Sequence, residues 1–177
     1  FAVKKSIKCS LFLSSREIYG QATGGERFAE ETDYGIIDPV DLRSCYPESK
    51  RMGESMCVAY KSQYGLCCRI ARMSHAYGPC FVMANGRVWA DFISNIVRRE
   101  NIVLRSTGET ELVLTYISDI ITGLFYVLLA GTELVYNLSR MDEIMKVCDL
   151  ASKVVKQYHE RKLKVVFDIP KGDGGYL

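Results

Sequence analysis

Ser44-Cys45-Tyr46-Pro47-Glu48-Ser49-Lys50-Arg51 opens a helical stretch that runs toward Gly65, and the reading of the whole chain depends on it. Tyr46 and Lys50 are four apart, so on a helix they share one face about one turn from each other. A free phenol has a pKa of about 10. A neighbouring cation favours the phenolate, and a positioned phenolate can take a proton from an alcohol. The same spacing also arises in any amphipathic helix that carries a tyrosine and a lysine, and the chain holds eleven tyrosines. The flanking sequence has to decide between the two. Ser44 is a suitable N-cap, Pro47 is tolerated in a first turn, and Gly65 suits a C-cap. Met52, Met56, Ala59 and Tyr60 form an apolar stripe roughly opposite Tyr46, Lys50 and Glu54. Such a stripe packs on a core or on another helix.

Upstream, Phe1 to Lys8 reads as the tail of a helix that runs directly into an apolar strand, Ile7 to Leu13. A chain that starts this way, without an initiator Met, is expected to be a piece of a longer one. Ser14-Ser15-Arg16-Glu17-Ile18-Tyr19-Gly20 then places polar residues at the C-terminal end of that strand, where open α/β sheets bind ligands. Gln21 to Asp41 is a polar loop of roughly twenty residues, longer than an ordinary connection. Downstream of the helix, Leu66 to Met73 reads as a buried strand and Ser74-His75-Ala76-Tyr77-Gly78-Pro79 as the loop at its end. Helices are expected over Val88 to Arg98, Tyr116 to Ala130 and Met141 to Glu160. Strands are expected at Ile102 to Leu104, Leu112 to Leu114, Leu134 to Leu138 and Lys164 to Asp168. Strands alternating with helices imply an α/β fold with a parallel sheet.

Composition narrows the function classes. The chain has 177 residues, 48% hydrophobic and 25% charged, with a net charge of +2, an ordinary globular balance with room for a core. No Lys/Arg run marks a nucleic-acid or membrane surface. The most apolar run, Ile120 to Gly131, is too short to span a bilayer. Seven cysteines lie without framework spacing and none forms a C-x-x-C, a pattern that fits free thiols in a reducing cytosol. With only two histidines, His75 and His159, no metal site is expected.

Three pieces stand in register: Ser-Ser-x-x-x-Tyr-Gly after a strand, Tyr-x-x-x-Lys opening a helix, and Arg-x-x-x-x-Tyr-Gly-Pro after the next strand. Together they resemble the extended short-chain dehydrogenase/reductases that act on nucleotide sugars. Arg43-Ser44-Cys45-Tyr46-x-Glu48-x-Lys50-Arg51, Asn85-Gly86-Arg87-Val88 and Tyr116-Ile117-Ser118-Asp119 are most similar to the branch of UDP-glucuronate decarboxylases and dTDP-glucose 4,6-dehydratases. The likeness runs from Phe1 to about Ser139. It implies an α/β fold, a portion of a Rossmann-like doubly wound parallel sheet plus a small C-terminal substrate-binding α/β region. Residues 1–80 would be the second part of the NAD-binding domain, and 81–177 mostly substrate-binding with elements returning to the main sheet.

The resemblance also implies roles. Tyr46 would take the proton from a sugar hydroxyl while hydride passes to NAD, with Lys50 favouring its phenolate and binding the nicotinamide ribose. Ser15 would hydrogen-bond the reacting oxygen and Glu17 would do acid/base work beside the sugar ring. Ser14, Met73 and His75 would line the cofactor, and Arg16 and His75 the sugar. Arg87, Val88 and Arg105 would meet the nucleotide-sugar diphosphate. A homodimer is implied through the 44–64 helix, in the cytoplasm. Three features depart from the pattern. The sequence holds neither G-x-G-x-x-G nor G-x-x-G-x-x-G, the turn that seats a dinucleotide pyrophosphate, so this chain alone is expected to be inactive. Arg16 stands where the 4,6-dehydratases carry a proton-donating aspartate, a task a guanidinium does not perform at neutral pH. Leu112 falls where the family usually keeps an arginine on the substrate. A non-catalytic assembly module of the same fold is the alternative.

Overall fold

The computed structural model describes residues 1–20, 28–83, 86–142 and 144–169. In chain order the elements are β1 (Ser10–Ser15), α1 (Cys45–Tyr64), β2 (Cys68–Met73), β3 (His75–Tyr77), α2 (Val88–Arg98), β4 (Ile102–Leu104), β5 (Glu111–Tyr116), α3 (Ile117–Ala130), β6 (Val135–Leu138), β7 (Ile144–Lys146), α4 (Val147–Gln157) and β8 (Val165–Phe167). They fall into two compact units, Phe1–Ala76 with Thr115–Arg140, and Tyr77–Leu114 with Met141–Leu177.

The first unit is built on a parallel sheet in the order β1-β2-β6. Side chains alternate across a strand, and the two helices use that alternation. Phe12 and Ser14 of β1, and Arg72 of β2, face α1. Gly53 of α1 lies against the Phe12 ring, and Ser14 and Arg72 both bond Glu54. Arg69, on the other face of β2, donates to the Leu128 carbonyl of α3. The sheet is therefore covered on both sides, and Ile70 and Ala71 at its centre are fully buried. The second unit has its own core, where Phe92 and Ile96 of α2 meet Ile102 and Leu104 of β4 and Ala151 of α4. There β4 pairs parallel with β8 and β5 pairs antiparallel with β7.

Several elements differ from the pattern read in the sequence. Phe1 to Ser6 forms turns rather than a helix tail, and β1 starts later and extends through Ser15. Met141 to Glu160 is not one helix. Ile144 and Met145 are drawn into a strand by pairing with Val113 and Leu112, so α4 begins only at Val147. A β-branched residue with a strand partner is better satisfied there than in a helix turn. A three-residue strand, β3, sits inside the expected 74–79 loop. The expected 21–41 loop lies partly outside the described residues, as does Asn85.

Candidate functional site

The helix that carries Tyr46 starts differently from the expected Ser44 cap. Asp41 caps a short 3-10 turn, Leu42–Ser44, by accepting from the Arg43 amide at 2.8 Å. Ser44 has helical backbone angles and spends its hydroxyl on the Asp38 carbonyl at 2.5 Å. The turn leads straight into α1, with Tyr46 49% exposed on its first turn. At the far end Gly65 takes φ +64 and its amide closes on the Lys61 carbonyl, the left-handed cap that favours glycine. Lys50 reaches across to β1, where its Nζ donates to the Leu13 carbonyl at 2.9 Å. The ammonium also lies 5.5 Å from the Phe12 ring centre and 5.6 Å from that of Tyr46. An ammonium has three protons to donate, so the bond to Leu13 fixes the direction of Lys50 and leaves donors for a ligand.

The other expected residues sit at the C-terminal ends of β1 and β2, which run side by side with Ser14 opposite Arg72 and Ser15 opposite Met73. Ser15, 8% exposed, caps a 3-10 turn over Arg16–Tyr19 by accepting from the Glu17 amide at 3.2 Å. Its own hydroxyl proton is then available for donation. Arg16 lies 3.3 Å from the Glu17 carboxylate and 3.1 Å from Nε2 of His75. A guanidinium can only donate, so that His75 nitrogen is the acceptor and the ring proton belongs on Nδ1. Ser15, Arg16, Glu17 and His75 thus form one polar group at the strand ends. Tyr46 and Lys50 stand on the helix packed against the same strands.

Ser14 has a different occupation from the one expected. It is 1% exposed, and its hydroxyl donates to Glu54 Oε1 at 2.5 Å. Glu54 is one turn beyond Lys50 on α1 and is held in a fork by Arg72, Nε to Oε1 at 3.1 Å and Nη2 to Oε2 at 2.7 Å. Arg72 Nη1 further donates to Tyr19 OH at 2.9 Å and to the Glu31 carbonyl at 2.8 Å. Tyr19 OH passes its proton toward Asn137 Oδ1 at 2.6 Å. Burial opposes the Arg72 charge, but the hydrogen bonds to Glu54 and Tyr19 and the Glu54 charge outweigh it and hold the guanidinium pKa above its ordinary value. Burial also pushes the Tyr19 phenol up, against Arg72 and Asn137, which keeps it a proton donor. This network binds α1 to β1, β2 and β6 just behind Lys50. The reading of the sequence missed it. Arg72, next to Ile70 and Ala71 in the strand read as buried from Leu66 to Met73, was the available signal, since a buried charge needs a partner.

The remaining candidates belong to the second unit. Arg87 is the N-cap residue of α2 and Val88 its first residue, both exposed. Arg105 is exposed in the turn after β4. Leu112 on β5 is buried and pairs with Met145 of β7, an apolar position that suits leucine better than an arginine. Among the described residues no cluster of His, Cys, Asp or Glu could hold a metal ion, and no helix is long and apolar enough to cross a membrane.

Residues 1–139 match the model of the NAD dependent epimerase/dehydratase family, and the chain belongs to that family. Among curated relatives, UDP-glucuronic acid decarboxylase 1 of Xenopus tropicalis is 33% identical over 134 residues, 75% of this chain and 31% of that protein. UDP-glucuronic acid decarboxylase 4 of Arabidopsis thaliana is 29% identical over 157 residues, 89% of this chain and 34% of the relative. The chain therefore spans about a third of the length of such relatives. Among solved structures, UDP-glucose 4-epimerase from Thermotoga maritima with UDP-glucose superposes with a TM-score of 0.82 at 22% identity, covering 97% of this chain and 54% of that one. UDP-glucuronic acid 4-epimerase from Bacillus cereus, in complex with UDP-glucuronic acid and NAD, gives 0.72 at 21% identity, covering 90% and 49%. The fold is that of this Rossmann-type group, and NAD is the cofactor of the family.

Proposed function

We propose that the whole protein to which this chain belongs oxidises a hydroxyl of a nucleoside-diphosphate sugar with NAD, and completes the reaction by epimerisation, elimination or decarboxylation. The observation that carries this reading is the setting of Lys50. It is tethered to the Leu13 carbonyl of β1 at 2.9 Å, one helical turn from an exposed Tyr46 and beside the strand ends that carry Ser15. Tyr46 takes the proton of the sugar hydroxyl, Lys50 holds the resulting charge, and Ser15 donates to the same oxygen. NAD, when bound, accepts the hydride from the carbinol carbon. Tyr46, Lys50, Ser14, Met73 and His75 are assigned to its nicotinamide end. Lys50 fits that task through its uncommitted protons, whereas Ser14 fits it less well because its hydroxyl is already given to Glu54.

Glu17, Arg16 and His75 are assigned to the sugar ring, and Arg87, Val88 and Arg105 to the diphosphate. The sequence has no Gly-rich turn for a pyrophosphate, so the 177-residue chain alone is assigned no activity. The names of the relatives support UDP-glucuronic acid as the first substrate to try, and Arg16 is a suitable partner for its carboxylate. Arg16 speaks against 4,6-dehydratase chemistry, and Leu112 in place of the family's arginine passes the diphosphate contact to another basic residue such as Arg105.

We assign the whole protein to the cytoplasm, and its assembly to a homodimer through α1. Met52 and Met56 on that helix are 63% and 52% exposed, and the Tyr60 and Tyr64 rings lie tilted against each other with centres 5.3 Å apart on the same helix. That exposed stripe also favours the alternative of an assembly module. Incubating the whole protein with NAD and UDP-glucuronic acid, and following products by chromatography, separates the two readings. A new nucleotide sugar supports the enzyme, and unchanged substrate across a panel of nucleotide sugars supports the module.

A further inference from the structure

We propose that Cys9 and Cys67 form a reversible disulfide that cross-links β1 to β2 at the end of the sheet away from the candidate site. The two residues immediately precede Ser10 and Cys68, which are partners in the parallel register of β1 and β2, and the Ser10 amide donates to the Cys67 carbonyl at 2.8 Å. Neighbouring strands lie about 4.8 Å apart, inside the Cα range that a disulfide bridges. Their sulfurs are already 2.9 Å apart, and both side chains are only partly buried.

The adjacent cysteine does not compete. Side chains alternate, so Cys68 faces the opposite side of the sheet. There it is buried, with the Ser10 hydroxyl 3.2 Å from its sulfur. Cys57 on α1 faces that side too, where burial and Cys68 push its thiol up to about 11, a poor thiolate source. Cys45 and Cys80 are exposed on other segments.

The oxidant is a small-molecule disulfide of the glutathione type. The Cys67 thiolate attacks one of its sulfurs, forming a mixed disulfide and expelling one thiolate. The Cys9 thiolate then attacks the Cys67 sulfur and expels the second. Two protein thiols are oxidised, the small disulfide is reduced to two thiols, and the two cysteine protons end on the products. Burial and the Cys67 thiol beside it push the Cys9 thiol up, with the Arg69 charge opposing them.

The partners are 58 residues apart in sequence, so the bond would close a loop containing α1, Tyr46 and Lys50. Constraining a loop of that length stabilises typical chains enough to raise Tm by roughly 5–10 °C.

The test uses the whole protein in reduced form, equilibrated with oxidised glutathione, alkylated at its remaining thiols and read by peptide mass mapping. The peptides carrying Cys9 and Cys67 should appear joined by a disulfide that dithiothreitol cleaves, with no glutathione retained on either, and the oxidised form should melt later. Cys67 and Cys68 share one tryptic peptide, so variants assign the bond. Cys68→Ser should still join the two peptides, Cys67→Ser should join none, and Cys9→Ser should stop at a glutathione adduct on Cys67. Cys9 and Cys67 peptides that stay separate, or a Cys9 peptide that is still cross-linked in Cys67→Ser, would overturn the proposal.

Discussion

Replacing Arg72 with methionine should cost the folded chain about 3–5 kcal/mol, because the substitution strands a buried carboxylate. Arg72 and Glu54 have side chains only 6% and 12% exposed and meet at 2.7 Å. Without the guanidinium, Glu54 keeps the single bond from Ser14, and the Tyr19 hydroxyl and the Glu31 carbonyl each lose a donor. For a chain of this size each kcal/mol moves Tm by about 2–4 °C, so Arg72→Met should melt at least about 6 °C lower by far-UV circular dichroism. The companion variant is Glu54→Leu with Arg72→Met, which removes both charges and fills much of their volume. Removing a whole buried pair is often nearly neutral, so the double variant should lie within about 1–2 kcal/mol of the parent. A single variant that melts with the parent, or a double variant whose loss equals the sum of the two singles, would show that Arg72 and Glu54 are not a coupled buried pair.

Further outcomes follow from other contacts. Gly53→Ala would place a methyl group in the Phe12 ring, and overpacking of this kind should cost about 1–3 kcal/mol in a urea titration. Folding pushes the Cys57 thiol up from 9.0 to about 11, by burial first and then by Cys68 and Glu54. The folded chain therefore holds that proton more tightly than the unfolded chain. The stabilisation is whole below pH 9 and drains away as pH rises through about 11. Cys57→Ala should accordingly flatten the alkaline limb of stability, read from urea midpoints on either side of that window. Met56→Asp puts a charge on the exposed stripe of α1. Sedimentation should show the whole protein shifted toward monomer, and an unchanged dimer would remove α1 from the interface.

The sequence made α2 legible through its one strong apolar face and α3 through its long apolar run, and the structure places them at Val88–Arg98 and Ile117–Ala130. It did not make β7 legible. Ile144 and Met145 continue a helical pattern on paper, and only their partners on β5, more than thirty residues upstream, turn them into a strand. At the site, Tyr46 and Lys50 were visible as a pair because helical spacing is local. The contact of Arg16 with His75 spans 59 positions and exists only because β1 and β2 run in parallel register. The same holds for Glu54 with Arg72 and for Cys9 with Cys67. Local periodicity shows which face a residue lies on, whereas its partner there depends on strand order.

Whether Tyr46 is the proton acceptor of an NAD-dependent oxidation is decided by Tyr46→Phe in the whole protein. The variant keeps the ring and loses only the hydroxyl. Turnover of the nucleotide sugar that the parent consumes should fall by about 100-fold or more, with the circular dichroism spectrum and melting temperature unchanged. A variant that turns the substrate over at the parental rate would contradict the account.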